Sequence, residues 1–147
     1  MRYFEDFVPG LTLQFGAHLM TRERILEFAR EFDPQPFHID ENAAAKSMYG
    51  GLIASGWHTC AAYMRMLVEG VVGDSSSMGS GGMDELRWKR PVRAGDVLSV
   101  RYQVLSVKPS EKHADRGTVF GFSEVLNQDG EVVMTLENTG IFGRRPK

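Results

Sequence analysis

The spacing of hydrophobic and polar residues changes along this chain. Between positions 25 and 32, apolar residues recur at i, i+3, i+4 and i+7, which is one face of an α-helix. Between positions 98 and 104, apolar residues alternate with polar ones instead, which is the period of a half-buried strand. Helical patterns therefore dominate the first half of the chain and strand patterns the second.

The first half opens with one strand pattern and two short helix patterns. Residues 11–20 predict a strand, and Thr21 is a suitable cap for the helix that follows. Pro34 should end that helix, because the residue before a proline avoids the α region. A second short helix is predicted within residues 40–48, with Asp40 as its cap.

The longest helix pattern covers residues 50–70. Apolar residues occupy nearly all of its faces, so we expect a buried helix that begins at Gly50-Gly51 and ends near Gly70. The glycine- and serine-rich residues 73–82 predict a loop.

About four antiparallel strands are predicted after this loop, and the sequence NQDG, ending in Gly130, indicates a hairpin between the last two. The layout predicts an α+β domain in which one curved antiparallel sheet wraps around the long helix. We expect a single domain over residues 1–147. A sheet of this kind leaves an edge strand exposed, and a homodimer would cover it.

Composition narrows the functional classes. The chain has 147 residues, of which 42% are hydrophobic, enough for a sizeable core. A net charge of -2 argues against a nucleic-acid-binding surface, and no apolar run is long enough for a signal peptide or a membrane span. The single cysteine, Cys60, permits no internal disulfide. We therefore expect a cytoplasmic protein with no nucleic-acid or membrane partner.

The sequence FDPQPFH at residues 32–38 brings an acid and an imidazole close together. Asp33 and His38 would suit a general acid–base pair, held in a fixed relation by Pro34 and Pro36, which favour an extended backbone. Alternatively, Asp33 ends a helix and His38 is a surface loop residue, and the residues of this segment alone favour that structural interpretation.

The pair Gly50-Gly51 is placed where the long helix is predicted to begin. A helix N-terminus offers unpaired N–H groups, and glycine lets a ligand approach them closely, as stabilisation of an oxyanion requires. A tight turn explains the two glycines equally well. Taken together, an acid–base pair and a glycine-led helix start suit the reversible addition of water to a double bond conjugated to a carbonyl.

The segments DPQPFH, GGLIASG and ELRWKRPVRAGD resemble the MaoC-like dehydratase family, and in particular its R-specific enoyl-CoA hydratases, along nearly the whole chain. The resemblance implies a hot dog fold, with Asp33 and His38 as the catalytic dyad. It also implies that the Gly51 N–H polarises a thioester carbonyl, with Gly50 beside it in the substrate site.

The resemblance further implies a supporting hydrogen bond from Ser55, or from Thr59 one turn on, and a substrate contact at Phe37. Gln35 stands where the family more often has Asn, and Phe37 where an aliphatic residue is commoner. These two departures affect the substrate pocket and the hydrogen bonds of Asp33 more than the acid–base groups. The implied substrate is a CoA or acyl-carrier thioester, with no cofactor, in a homodimer whose site lies near the interface.

Two other functions remain open. Hot dog thioesterases usually draw a carboxylate or an amide from the long helix or a neighbouring strand, and the first carboxylate of this helix after Gly51 is Glu69, at its far end. A non-catalytic acyl-CoA-binding module is the other alternative. The basic residues Lys89, Arg90 and Arg93 would either meet CoA phosphates or form a solvated turn.

The remaining candidate residues favour structural roles. His58, on the long helix, is more typical of a hydrogen-bonded core or interface histidine than of a substrate contact. The four histidines show no close pair at metal-ligand spacing, so no metal site is expected.

Overall fold

The computed structural model of the protein describes residues 1–147 and contains one five-stranded antiparallel sheet, in the order β1-β3-β4-β5-β2. The helix α4 packs against β1 and β3, and three other helices, two of them short, connect β1 to it. In chain order the elements are β1 (Thr12–Leu19), α1 (Arg22–Phe32), α2 (Pro36–Ile39), α3 (Glu41–Lys46), α4 (Gly56–Leu67), β2 (Gly82–Trp88), β3 (Val97–Pro109), β4 (Arg116–Leu126) and β5 (Val132–Gly143).

The first strand and the first helix agree with the sequence pattern. The Thr21 hydroxyl accepts a hydrogen bond from the N–H of Arg24 at 3.1 Å, so Thr21 caps α1 as predicted. The helix ends at Phe32, which leaves Asp33 as the first residue beyond it. Asp40 caps α3 by accepting from the N–H of Asn42 at 2.9 Å.

Residues 36–39 are helical, and the expected extended backbone around the two prolines was wrong for this part of the segment. Pro36 is the first residue of the single turn α2, where its fixed φ suits a helix and its missing N–H costs no hydrogen bond. The turn buries His38, which is 4% exposed.

The start of α4 differs from the prediction by several residues. The helix begins at Gly56, whereas Gly50 forms a turn with a φ of 67°. Ile53 and Ala54 pair with distant segments instead of continuing a helix: their N–H groups donate to the carbonyls of Phe37 at 3.2 Å and Val92 at 2.8 Å, and Ile53 forms an isolated antiparallel bridge with Arg93. These hydrogen bonds to distant segments keep residues 53 and 54 out of the helix, which therefore begins at Gly56 rather than at Gly50-Gly51.

One face of α4 forms the core with the sheet, but the opposite face is exposed. Tyr63 and Met66 are buried, whereas Trp57, Met64 and Val68 are 60%, 43% and 39% exposed. The expectation of a helix buried on all sides was therefore wrong, because a single sheet covers only one side of it. A π-helical turn, Val68–Val72, continues α4 beyond its last regular residue.

The C-terminal strands follow the predicted pattern. β4 and β5 form the expected hairpin, in which Gly130 adopts a φ of 74°. β1 and β2 are the two edges of the sheet. No helix is long and apolar enough to span a bilayer.

Candidate active site

Asp33 and His38 lie together at the junction between α1 and α2. Asp33 Oδ2 is 3.3 Å from His38 Nε2, and their side chains are 18% and 5% exposed. Asp33 directly follows the last residue of α1, and the helical turn α2 directs the imidazole of His38 toward its carboxylate. The structure therefore brings this predicted pair into direct contact.

The hydrogen bond on the far side of the ring determines which nitrogen of His38 exchanges a proton. Nδ1 is 2.7 Å from the carbonyl oxygen of Ile53, and a carbonyl only accepts, so Nδ1 carries a hydrogen. In the neutral ring Nε2 then has a free lone pair, which faces the carboxylate of Asp33. A proton shared by these two groups, or a water molecule that donates to both from one side, removes the repulsion.

Two neighbouring side chains hold the carboxylate of Asp33. Ser55 donates to Oδ2 and Gln35 donates to Oδ1, each at 2.7 Å. Partial burial by itself raises the pKa of Asp33. The hydrogen bonds from Ser55 and Gln35, with the nearby charge of protonated His38, outweigh it and hold the pKa of this carboxyl below its ordinary value. Asp33 is therefore a carboxylate at neutral pH.

A cavity of about 460 Å³ opens beside the pair. Its deep end is formed by side chains that are more than nine-tenths buried, and its mouth by exposed aromatic and basic residues. The deep residues include His38, Ile53, Thr59 and Val92, and the mouth includes Trp57, Trp88, Lys89 and Arg90.

The N-terminus of α4 faces this cavity. The N–H groups of Gly56 and Trp57 have no backbone acceptor, whereas those of the next two residues both bond to the carbonyl of Ser55. The indole of Trp88 lies against Gly56, where a Cβ would collide with the ring, and its Nε1–H donates to the Gly56 carbonyl at 3.0 Å. The site can therefore offer unpaired backbone donors beside an acid–base pair.

The other predicted site residues divide into two groups. Phe37 and Thr59 line the cavity, and Ser55 contacts Asp33 directly. Gly50 and Gly51 do not line it; Gly51 lies beside the guanidinium of Arg93 instead.

Thr59 presents a polar atom inside the cavity. The side chain is 2% exposed and its hydroxyl has no hydrogen-bond partner in the chain. The only buried polar side-chain atom that lacks both a partner and access to solvent is His58 Nδ1, so the Thr59 hydroxyl is open to the cavity.

The sequence interpretation missed Gly56, Trp57 and Trp88 as site residues. Ser55-Gly56 carried a usable signal, because serine is a preferred residue immediately before a helix and glycine permits close approach. Trp88 had no such signal, since β2 brings it to the helix from 32 residues away.

The basic cluster is divided between two environments. Lys89 and Arg90 lie at the cavity mouth, where Arg90 pairs with Glu131 at 2.9 Å. Arg93 instead donates to the carbonyl of Tyr49 at 2.6 Å and supports the loop before α4.

His58 is not hydrogen-bonded through Nδ1, so that part of the expectation for a core histidine was wrong. The ring is 8% exposed and stacks on Phe28 of α1, with centroids 4.8 Å apart. Burial, with the positive charges of His18 and Arg24, lowers the pKa of His58 to about 4. The ring is therefore neutral at physiological pH and joins α1 to α4 by apolar contact.

Comparison with known proteins identifies the class to which this fold and site belong. The model of the MaoC like domain matches residues 7–120, and the chain is a member of the MaoC-like dehydratase family, with the hot dog fold.

Individual relatives agree with this assignment. A crystal structure of the MaoC-like dehydratase from Rhodospirillum rubrum is 42% identical, covers both chains completely and superimposes with a TM-score of 0.93. The R-hydratase PhaJ1 of Pseudomonas aeruginosa is 25% identical over 98% of this chain and 86% of its own, with a TM-score of 0.74. A 3-hydroxybutyryl-CoA dehydratase of Methylorubrum extorquens is 28% identical over 90% of this chain and 82% of its own length.

Proposed function

We propose that this protein adds water to a trans-2-enoyl thioester to give an (R)-3-hydroxyacyl thioester, and catalyses the reverse dehydration. The observation that supports this proposal is the 3.3 Å approach of Asp33 Oδ2 to His38 Nε2 at the inner part of the cavity. One water molecule in the cavity that donates hydrogen bonds to both the carboxylate and the neutral imidazole nitrogen is positioned both to lose a proton and to attack.

The chemical steps follow from the hydrogen bonds. Nε2 of His38 takes one proton from the water while its oxygen forms a bond to C3 of the substrate. The electrons of the C2–C3 double bond move toward the thioester oxygen, which gains negative charge. Asp33 accepts the second O–H of the water and stabilises the imidazolium. The proton on Nε2 then passes to C2, so that one water molecule has been added overall.

We assign stabilisation of the thioester oxygen to the N–H groups of Gly56 and Trp57 rather than to Gly51. They are unpaired, lie at the positive end of α4 and belong to residues that line the cavity. The free hydroxyl of Thr59, one turn along the same helix, is a further donor for the substrate.

The names of two relatives support the reaction and its stereochemistry. One is a 3-hydroxybutyryl-CoA dehydratase and the other an R-hydratase. The cavity mouth suits a CoA thioester, because Lys89 makes no ion pair within the chain and lies next to the exposed indoles of Trp57 and Trp88, and a lysine can meet a phosphate.

We also propose that the protein is a homodimer. The exposed apolar residues Trp57, Met64 and Val68 form one stripe along α4 and the turn that continues it, and the edge strand β2 meets this stripe where Trp88 contacts Trp57, with ring centroids 5.4 Å apart. A second copy would cover both the stripe and the edge.

The decisive experiment mixes the purified protein with crotonyl-CoA and follows the absorbance of the enoyl thioester. Hydration removes this absorbance without releasing free thiol, and chiral analysis should find the R-3-hydroxy product. Release of free thiol would identify a thioesterase instead. Binding of acyl-CoA over several chain lengths with neither signal would identify a non-catalytic module, and either of these results would refute the proposal.

A further inference from the structure

The indole of Trp88 contacts the first turn of α4. Trp88 is the last residue of β2 and lines the cavity beside the acid–base pair. Its Nε1–H donates to the carbonyl of Gly56, the first residue of the helix, at 3.0 Å. The thiol of Cys60 lies beside the same N–H, but sulfur is a weaker acceptor than a carbonyl oxygen, so the principal hydrogen bond of the indole is to Gly56.

This hydrogen bond acts on the peptide unit that joins Gly56 to Trp57. The carbonyl of Gly56 and the N–H of Trp57 belong to that unit, which is planar, so a bond that holds the carbonyl also fixes the direction of the N–H. The N–H becomes a stronger donor as well, because hydrogen bonds in series polarise one another. The Trp57 N–H itself has no backbone acceptor and is therefore available to a ligand.

Trp88 also contacts the side chain that follows this peptide unit. The rings of Trp57 and Trp88 meet edge to face, with centroids 5.4 Å apart and planes at 79°. Gly56 allows the indole to approach on the other side, since a Cβ there would collide with the ring. The peptide unit therefore cannot rotate unless the indole of Trp88 moves.

A bulge in β2 directs the indole to this position. Between Asp84 and Arg87, β2 advances three residues while β5 advances two, so β2 contains one additional residue. An additional residue turns the side chains that follow it to the opposite face of the sheet. Within the bulge Glu85 adopts a φ of 51°, which is unfavourable for any residue with a Cβ. The strand therefore contains local strain at the point that determines the direction of Trp88.

We propose that Trp88 is a positioning residue that acts through the Gly56 carbonyl to orient and polarise the Trp57 N–H toward the thioester oxygen. This inference rests on the hydratase reaction proposed above, in which that oxygen gains negative charge. A donor aimed at the developing charge stabilises the transition state more than the bound substrate. Loss of the indole N–H should therefore lower kcat and leave KM nearly unchanged.

The first test removes the indole N–H from the full-length protein and keeps the shape of the ring. Replacement of Trp88 by 3-benzothienylalanine retains both fused rings and exchanges the N–H for sulfur, and Trp88→Phe is a second variant. The backbone ¹⁵N resonance of Trp57 should move upfield in both, because the carbonyl of its peptide unit has lost a hydrogen bond. Thermal unfolding verifies that the variants remain folded.

Tyr63→Phe is the matched control. It removes a 2.9 Å hydrogen bond between α4 and Ser123 of β4, at a buried residue that lines neither the cavity nor the first turn of the helix. Both the Trp57 resonance and kcat should remain those of the wild type. A general loosening of α4 would change them in this variant as well.

Kinetics and infrared spectroscopy connect the hydrogen bond to the reaction. Removal of a whole oxyanion donor lowers kcat by about 10²–10³, whereas the Trp88 variants keep a less well aligned donor, so we expect kcat for crotonyl-CoA to fall about tenfold. Butyryl-CoA labelled with ¹³C at its carbonyl is saturated and cannot be hydrated. Its carbonyl stretch should move to lower frequency on binding to the wild type, and the variants should lose part of this shift.

The proposal is overturned if the Trp57 resonance stays in place in the benzothienylalanine protein, or if it moves while kcat is unchanged. A rise in KM with kcat unchanged also overturns it, because Trp88 would then act on binding alone. A wild-type protein that does not hydrate crotonyl-CoA refutes the proposed reaction instead. The Trp57 resonance and the carbonyl stretch of butyryl-CoA do not require turnover, so the two failures are distinguishable.

Discussion

Ser55 donates a 2.7 Å hydrogen bond to Oδ2 of Asp33, although 22 residues separate the two in sequence. The contact joins the last residue before α4 to the first residue after α1, so the acid–base pair and the helix N-terminus form one rigid unit. The same bond helps to keep the pKa of Asp33 low, because it stabilises the charged form.

Loss of the hydrogen bond from Ser55 to Asp33 should shift the acid limb of the pH–activity profile. In Ser55→Ala the pKa of Asp33 rises, so the carboxylate is protonated at a higher pH than in the wild type. The acid limb of the kcat/KM profile therefore shifts upward. Ser106→Ala, at an exposed serine of β3, should leave the profile unchanged. An unshifted acid limb in Ser55→Ala would show that this hydrogen bond does not control Asp33.

Removal of either member of the pair should nearly abolish turnover. Asp33→Asn and His38→Ala are each expected to lower kcat by at least about a hundredfold, the usual scale for a general acid–base group. Crotonyl-CoA hydration measures the effect, and circular dichroism verifies folding. The assignment of the dyad is wrong if either folded variant retains wild-type turnover.

Two glycine substitutions separate the possible sites of carbonyl polarisation. A Cβ at Gly56 collides with the Trp88 ring, so Gly56→Ala must displace the indole and disturb the start of α4; we expect kcat to fall at least about tenfold. A Cβ at Gly51 meets only the flexible end of Arg93, at 3.4 Å, and Gly51→Ala should be nearly neutral. A larger loss of kcat in Gly51→Ala than in Gly56→Ala would instead assign polarisation of the thioester carbonyl to Gly51.

His58 should make the stability of the protein depend on pH. Its pKa in the folded state, about 4, lies below the ordinary 6.5, so the unfolded chain takes up a proton first as the pH falls. Stability is therefore fully present above about pH 6.5 and declines toward pH 4. Between pH 7.5 and pH 5 we expect a loss of about 2 kcal/mol in the free energy of unfolding.

Urea unfolding of His58→Leu at the two pH values measures this contribution. The loss between pH 7.5 and pH 5 should be smaller in this variant by about the same amount. His113→Gln, at an exposed loop histidine, should retain the wild-type difference. Equal pH dependence of His58→Leu and the wild type would mean that another group is responsible.

The exposed stripe of α4 should determine the oligomeric state. Met64→Lys places a charge in the middle of the proposed dimer face and should halve the mass measured by light scattering after size exclusion. Val8→Lys, at an apolar residue that is 54% exposed outside the helix, is the matched control and should leave the mass unchanged. A wild-type protein that is already monomeric would contradict the proposed dimer.

Local chemistry made much of this structure predictable. Thr21 and Asp40 cap helices because their side-chain oxygens satisfy nearby N–H groups, and Gly130 permits the hairpin between β4 and β5. The start of α4 was not predictable in this way. Residues 53 and 54 have no local reason to be extended, and only their bonds to Phe37 and Val92, which are distant in sequence, hold them so.

The sequence by itself determined the α+β class and the order of the elements, because periodicity and capping act over a few residues. Only the tertiary structure decided that Ser55 and Gln35 hold the carboxylate, that Gly56 begins the helix and that Trp88 lies against it. It also decided that one face of α4 is exposed. These features depend on contacts between segments that are distant in sequence. Such contacts form only when the whole chain packs, so no local sequence pattern predicts them.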